Sequence, residues 1–194
     1  MRDSPLVRDA YRFAAEAHGG QVKDSDGSPY IDHLVEVARL VDDAGYDDDV
    51  VAAALLHDVV EHSDVELAAI RGRFGSGVAD LVEAMTEPTE IEPWTVRKRA
   101  HREQIARAGP RAGAIFAADK AANAASLRRA VAQGGEDSVE RIDGRVSHYR
   151  ATLDMMRGSA ADPVAVRLRD ELDRLADQRR KRLRVPSSNS HQSG

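Results

Sequence analysis

Apolar residues recur three and four positions apart in segment after segment, and this spacing constrains the fold more than any other feature. Val7, Ala10, Phe13, Ala14 and Ala17 fall on one face of a helix predicted from about Pro5 to Ala17. The stretch HGGQVKDSDGSPY then breaks the pattern with four glycines or prolines and reads as a loop. A second helix is expected from about Ile31 to Ala44, with Val35, Ala38 and Val41 on its apolar side and Gly45 as its stop. From Asp47 to Glu61 an acidic start, suited to a helix N-terminus, leads into VVAAALLHDVVEH. That run is apolar nearly all round and predicts one continuous, buried, central helix.

The rest continues in kind. Helices are expected from Ser63-Asp64 to Phe74-Gly75, from Gly77 to Met85, from Thr95 to Ala106, from Arg111 to Val131, from Ser138 to Met156 and from Pro163 to Leu183. TEPTEIEPW, with two prolines, separates two of them as a loop. Val166, Leu168, Leu172 and Leu175 are the expected anchoring side of the highly charged last helix. Its basic end, RRKRLR, fits a solvated surface better than a nucleic-acid or membrane contact. The final PSSNSHQSG is small and polar and is expected to be a disordered tail over 185–194. The expectation is therefore an all-α, single-domain bundle over 1–184, with its core in about 5–156 and a C-terminal helix over 163–183.

Composition narrows the function. Aromatic residues make up only 4%, against 42% hydrophobic residues overall, which suits closely packed helices better than a sheet. The chain has no cysteine, which excludes a disulfide framework, a thiolate metal site and a cysteine nucleophile. A net charge of −5 argues against a general nucleic-acid binder. The N-terminal residues lack the apolar core of a signal peptide, and no stretch approaches the roughly 20 apolar residues of a membrane span. A cytoplasmic protein with no membrane partner is expected; the oligomeric state is left open.

The chemistry concentrates at His57-Asp58. An ionisable pair inside an apolar segment is costly unless something compensates it. A divalent cation compensates well, because it takes a neutral imidazole nitrogen and a carboxylate oxygen together. A purely structural hydrogen-bonded pair stands equally at this point. His33 supplies a second imidazole just after the PYID turn, and Asp119 a second carboxylate inside the small-residue run IFAADKAANAASL. Two imidazoles and two carboxylates form a mixed N/O set that suits Mn²⁺, Fe²⁺ or Zn²⁺ more than Ca²⁺. Each residue taken alone also has an ordinary capping or surface reading.

Four segments in order, HGGQVKDSDGSPYIDHLVEVARLV, AAALLHDVVEHS, MTEPTEIEPWTVRKRAH and FAADKAANAASL, resemble the successive motifs of the HD-type alarmone hydrolases. These are the hydrolase domains of the RelA/SpoT proteins and their small stand-alone relatives. The resemblance covers roughly Ala10 to Arg128. It implies a helical bundle around one Mn²⁺ held by His33, His57, Asp58 and Asp119. It implies removal of the pyrophosphate from the 3′ position of guanosine tetra- or pentaphosphate, with water at the cation made more acidic and the phosphate charge screened. No synthetase domain is expected in the chain beside it.

The resemblance also suggests roles around the cation. Glu61, three and four residues after Asp58 and His57, would orient or deprotonate the water; a helix-end surface carboxylate is the plain alternative. Where the family has a second acid, this chain has His62, which can bond water but supplies no fixed negative charge. Lys23 stands where the family has an Arg-Lys pair, in a loop one residue shorter than in some relatives. Leu34 replaces a common proline. Trp94, Arg97 and Lys98 match the phosphate side of the pocket, although Trp94 also fits a packing anchor. Asn123 and Ser126 match positions near the nucleotide, and Tyr149 a ribose contact. A different nucleotide or phosphate ester, a nucleotide-binding module without turnover and a plain helical scaffold are the competing readings.

Overall fold

The computed structural model describes residues 1–23, 27–133, 139–156 and 162–184, and the expected tail over 185–194 lies outside them. The helices run in the order α1 (Pro5–Ala17), α2 (Tyr30–Asp43), α3 (Asp48–Leu56), α4 (Val59–His62), α5 (Leu67–Met85), α6 (Trp94–Ala108), α7 (Pro110–Ala132), α8 (Val139–Met155) and α9 (Pro163–Arg184). Val22 and Pro29 meet in an isolated antiparallel bridge at the base of the first loop.

Local signals set most boundaries. Asp47 caps α3 by accepting the Val50 N–H at 3.1 Å, and Asp48 and Asp49 add charge to its first turn. After α2 the chain turns through Gly45, at φ 85°, where the Gly45 N–H bonds Asp42 O and the Tyr46 N–H bonds Val41 O. Gly109, at φ 94°, followed by Pro110 in the first turn of α7, separates α6 from α7.

Helices α3 and α7 are central. Every residue from Val50 to Leu56 is buried, and α7 buries most of its length. Their shared device is alanine: Ala52, Ala53 and Ala54 on α3 and Ala114, Ala117, Ala118, Ala121 and Ala122 on α7. Small side chains let neighbouring backbones approach closely. Larger residues such as Leu34, Leu55, Leu56, Ile70, Ile105, Ile115 and Phe116 fill the remaining space. Helix α3 packs on α1, α2 and α5, while α7 packs on α2, α6 and α9. The central pair therefore lies where α2 can meet both.

Three expectations change. The helix from Asp47 to Glu61 is not continuous but breaks at His57-Asp58, with Asp58 at φ −101°, ψ −3°. The cause is local. His57 Nδ1–H donates to Ala54 O at 2.8 Å, the carbonyl that Asp58 N–H would meet in an unbroken helix. The helix expected from Ser63 starts only at Leu67, although the boundary expected at Gly75 is there: Gly75, at φ 85°, ψ 170°, divides α5 into two helices. On α9, Val166 is exposed rather than anchoring. The buried stripe runs through Val164, Ala165, Leu168, Leu172 and Leu175, and Val166 turns away from it. Glu171 lies in the same stripe, fully buried, and Arg128 Nε donates to it at 3.1 Å, tying α9 to α7.

Candidate metal centre

The four expected ligands come from three places in the fold. His33 sits in the first turn of α2, His57 and Asp58 in the break between α3 and α4, and Asp119 in the middle of α7. His33 Nε2 is 3.2 Å from Asp119 Oδ1 and 3.9 Å from Asp58 Oδ2. His57 Nε2 is 3.3 Å from Asp58 Oδ2 and 3.9 Å from Asp119 Oδ1. Both imidazoles and Asp119 are buried, and Asp58 nearly so.

The His57 tautomer tests whether these groups fit a cation. A carbonyl only accepts, so the bond to Ala54 O keeps the proton on Nδ1 and leaves Nε2 as a bare lone pair. That buried Nε2 has no hydrogen-bond partner, although a carboxylate oxygen stands close by. Two lone pairs facing each other repel unless a positive charge joins them. Burial opposes charging the imidazole, but the neighbouring Asp58 and Asp119 charges outweigh it and lift the His57 pKa to about 9. In the metal-free protein a proton therefore supplies what a cation would. Burial also opposes ionisation of the two acids, yet His57 beside Asp58 and Lys120 beside Asp119 hold both below the usual carboxylate range. The donor set, the orphaned nitrogen and the charge balance all fit a divalent transition metal.

Several supporting contacts are not apparent from the sequence. Tyr30 donates its hydroxyl to Asp58 Oδ2 at 2.6 Å while its ring stacks on His18. Lys120, buried over the Phe116 ring, donates to Asp119 Oδ2. Asn123 Nδ2 donates to Asp119 Oδ1 at 2.6 Å, and its own oxygen accepts from Lys23 Nζ at 3.0 Å. Lys23 Nζ also lies 3.3 Å from His33 Nδ1. A cation on His33 Nε2 needs the proton on Nδ1, which would turn Lys23 wholly toward Asn123.

Glu61 and His62 follow Asp58 on α4. Glu61 is half-buried, and its Oε1 accepts the Glu87 N–H at 2.6 Å. Burial first, and the Asp58 charge second, raise its pKa. The His62 ring is exposed and stands edge-on to Tyr30. Beyond them, Arg97 Nη1 bonds Glu92 at 2.7 Å, Arg97 Nε lies 3.6 Å from Glu87, and Lys98 Nζ bonds Glu87 at 2.8 Å. Lys98 also stands over the half-buried Trp94 ring. Ser126 is buried on α7, and Tyr149 is buried on α8, where its ring meets His148. The structure thus gathers His33, His57, Asp58, Asp119, Lys23 and Asn123 tightly, places Glu61 and His62 beside them, and ties Arg97 and Lys98 into acidic pairs.

The HD-domain family model matches residues 10–134. A human relative, the guanosine-3′,5′-bis(diphosphate) 3′-pyrophosphohydrolase MESH1, is 42% identical over 135 residues, covering 68% of this chain and 75% of its own. The zebrafish MESH1 is 33% identical over 159 residues, covering 80% and 87%. Among solved structures, a metazoan orthologue of SpoT described as hydrolysing ppGpp superposes with a TM-score of 0.74 at 30% identity, covering 92% of this chain and 98% of that one. Matched along most of its length in both sequence and fold, the chain belongs to the HD-domain family.

Proposed function

We propose that the protein is a metal-dependent hydrolase that removes the 3′-pyrophosphate of guanosine 3′,5′-bis(diphosphate). The convergence of His33, His57, Asp58 and Asp119 on one small volume carries the reading, with the orphaned His57 Nε2 at its centre. The MESH1 relatives, named for this reaction, support the choice of substrate. Mn²⁺ is the cation we assign, on the mixed imidazole and carboxylate donors. When bound, such an ion makes water more acidic and screens phosphate charge.

The chain's own residues do the rest. Glu61, fixed by the Glu87 N–H and with a raised pKa, orients the attacking water and accepts its proton. His62 bonds the same water from the solvent side. Lys23, Arg97 and Lys98 form a cationic wall for the substrate's charges. Trp94, Asn123, Ser126 and Tyr149 bound the nucleotide side. We assign this activity to residues 1–184. No helix among the described residues is long and apolar enough to cross a membrane. We assign the reaction to the cytoplasm on the nucleotide substrate alone. His62, in place of a second acid, favours a second reading in which the substrate is another phosphate ester.

Chromatography of guanosine tetraphosphate incubated with the protein and Mn²⁺ tests the proposal. Guanosine diphosphate and pyrophosphate are the expected products, with a loss of at least 100-fold on Asp58→Ala and on chelation. No turnover of this substrate, alongside turnover of another nucleotide, would replace it with the second reading.

A further inference from the structure

Helix α4 spans only Val59–His62, a single turn that fixes its backbone for very few hydrogen bonds of its own. Its two ends are held from outside. At the start, Tyr30 donates its hydroxyl to Asp58 Oδ2 at 2.6 Å; at the end, Gln21 Nε2 donates to His62 O at 2.9 Å. Both of these side chains rest on His18, the buried residue that closes α1. We propose that His18 is a positioning residue, which fixes α4 through Gln21 and Tyr30 and thereby aligns Glu61 on the attacking water.

The Gln21 amide gives this chain of bonds its direction. A carbonyl only accepts, so the Gln21 nitrogen faces His62 O, and its oxygen faces His18 Nδ1 at 2.8 Å. His18 therefore carries its proton on Nδ1 and locks the amide against rotation. Its Nε2 is buried without a hydrogen-bond partner, so a second proton there would be an unpaired donor. Burial accordingly holds the His18 pKa below its ordinary value, and the ring stays neutral. That ring lies nearly parallel to Tyr30, with centroids 4.9 Å apart and 18° between the planes. The stack sets the plane from which the Tyr30 hydroxyl reaches Asp58.

The backbone beneath these side chains is tied separately. His18 N–H donates to Ala14 O at 3.0 Å, Gln21 N–H to His18 O at 3.0 Å and Tyr30 N–H to Gln21 O at 2.9 Å. Gly20, at φ 77°, makes the turn between them. Side chains on this frame can be changed while its own bonds remain. Glu61 directly precedes His62, and the Glu87 N–H holds its Oε1. Release of His62 O therefore frees the turn that carries Glu61. A misplacement of about 1 Å caused by a change outside the reacting groups can cost about 100-fold in rate.

This inference rests on the hydrolase reading, and the test separates the two. Turnover of guanosine tetraphosphate with Mn²⁺ is measured on the full-length chain, together with amide hydrogen exchange over α4 in the metal-free protein. His18→Phe keeps a flat ring and loses the N–H; its kcat should fall about 10- to 100-fold. KM and Mn²⁺ affinity should stay at their wild-type values, and the α4 amides should exchange faster. Gln21→Ala should lose as much, and the double variant no more than either, because the two residues form one chain. His18→Asn, whose amide N–H takes the place of Nδ1–H, should recover most of the loss. An unchanged kcat in His18→Phe, additive losses in the double variant, or a lower Tm with KM and kcat moving together would overturn the positioning role. A wild type that leaves guanosine tetraphosphate intact would remove the hydrolase reading instead. Exchange then decides the tether alone: faster α4 amides in His18→Phe uphold it, and unaltered ones overturn it.

Discussion

Asp119 answers to two masters, a candidate cation and the buried Lys120 ammonium. Removing it leaves that ammonium without its carboxylate, and an uncompensated buried charge costs about 3–5 kcal/mol. Asp119→Ala is therefore expected to lose stability by that order in urea unfolding of the metal-free protein. Asp119→Ala combined with Lys120→Met should recover part of the loss, and equal losses in both variants would refute the pairing. That His33, His57, Asp58 and Asp119 need partners was legible in the sequence, because histidine and aspartate in apolar helices are costly without one, and the structure brings the four together. Tyr30, Lys120 and the Lys23–Asn123 bond were not, since each joins residues whose proximity only packing creates. Lys23 and Asn123 stand 100 positions apart. Adjacency in Asp119-Lys120 was a visible signal, but a lysine beside an aspartate is ordinary on a helix surface.

At the scale of elements, periodicity gave α1, α2, α6, α7 and α9 to within a few residues, and glycine and proline gave their ends. It could not give the break at His57-Asp58, because the apolar pattern runs straight through it. A side chain there takes a backbone carbonyl, and spacing carries no record of that exchange. The stop at Gly75 was legible as a boundary, and the backbone does leave the helix there between the two halves of α5. Gly75 has φ 85°, ψ 170°, a region open essentially to glycine alone. Gly75→Ala is expected to cost about 1–3 kcal/mol. Differential scanning calorimetry should show a lower Tm, and an unchanged Tm would mean that the kink relaxes without strain.

For the molecule as a whole, two buried histidines outside the candidate metal centre set a lower limit on the pH of stability. His101 and His148 flank Phe116 where α6, α7 and α8 meet. Burial first, and the Lys120 charge second, depress their pKa values to about 4 and about 2. Below a pH of about 6.5 the unfolded chain binds protons that the native one refuses. Their contribution is thus fully present above 6.5 and falls as pH drops, by roughly 1.4 kcal/mol per unit for each histidine. The fall attributable to His101 ends near pH 4, while that of His148 continues toward pH 2. Denaturant midpoints measured from pH 7 to 4 should decline less steeply in His101→Gln than in the wild type; parallel curves would refute the assignment. Glu87 carries a different consequence. Its amide proton restrains Glu61, and its carboxylate restrains Arg97 and Lys98. A polyanion that draws those two cations away must break their hold on the residue that positions Glu61. If Arg97 and Lys98 recognise charge and Glu61 aligns the water as proposed, the rim and the centre share a single hinge pin in Glu87, and neither would be adjusted without the other.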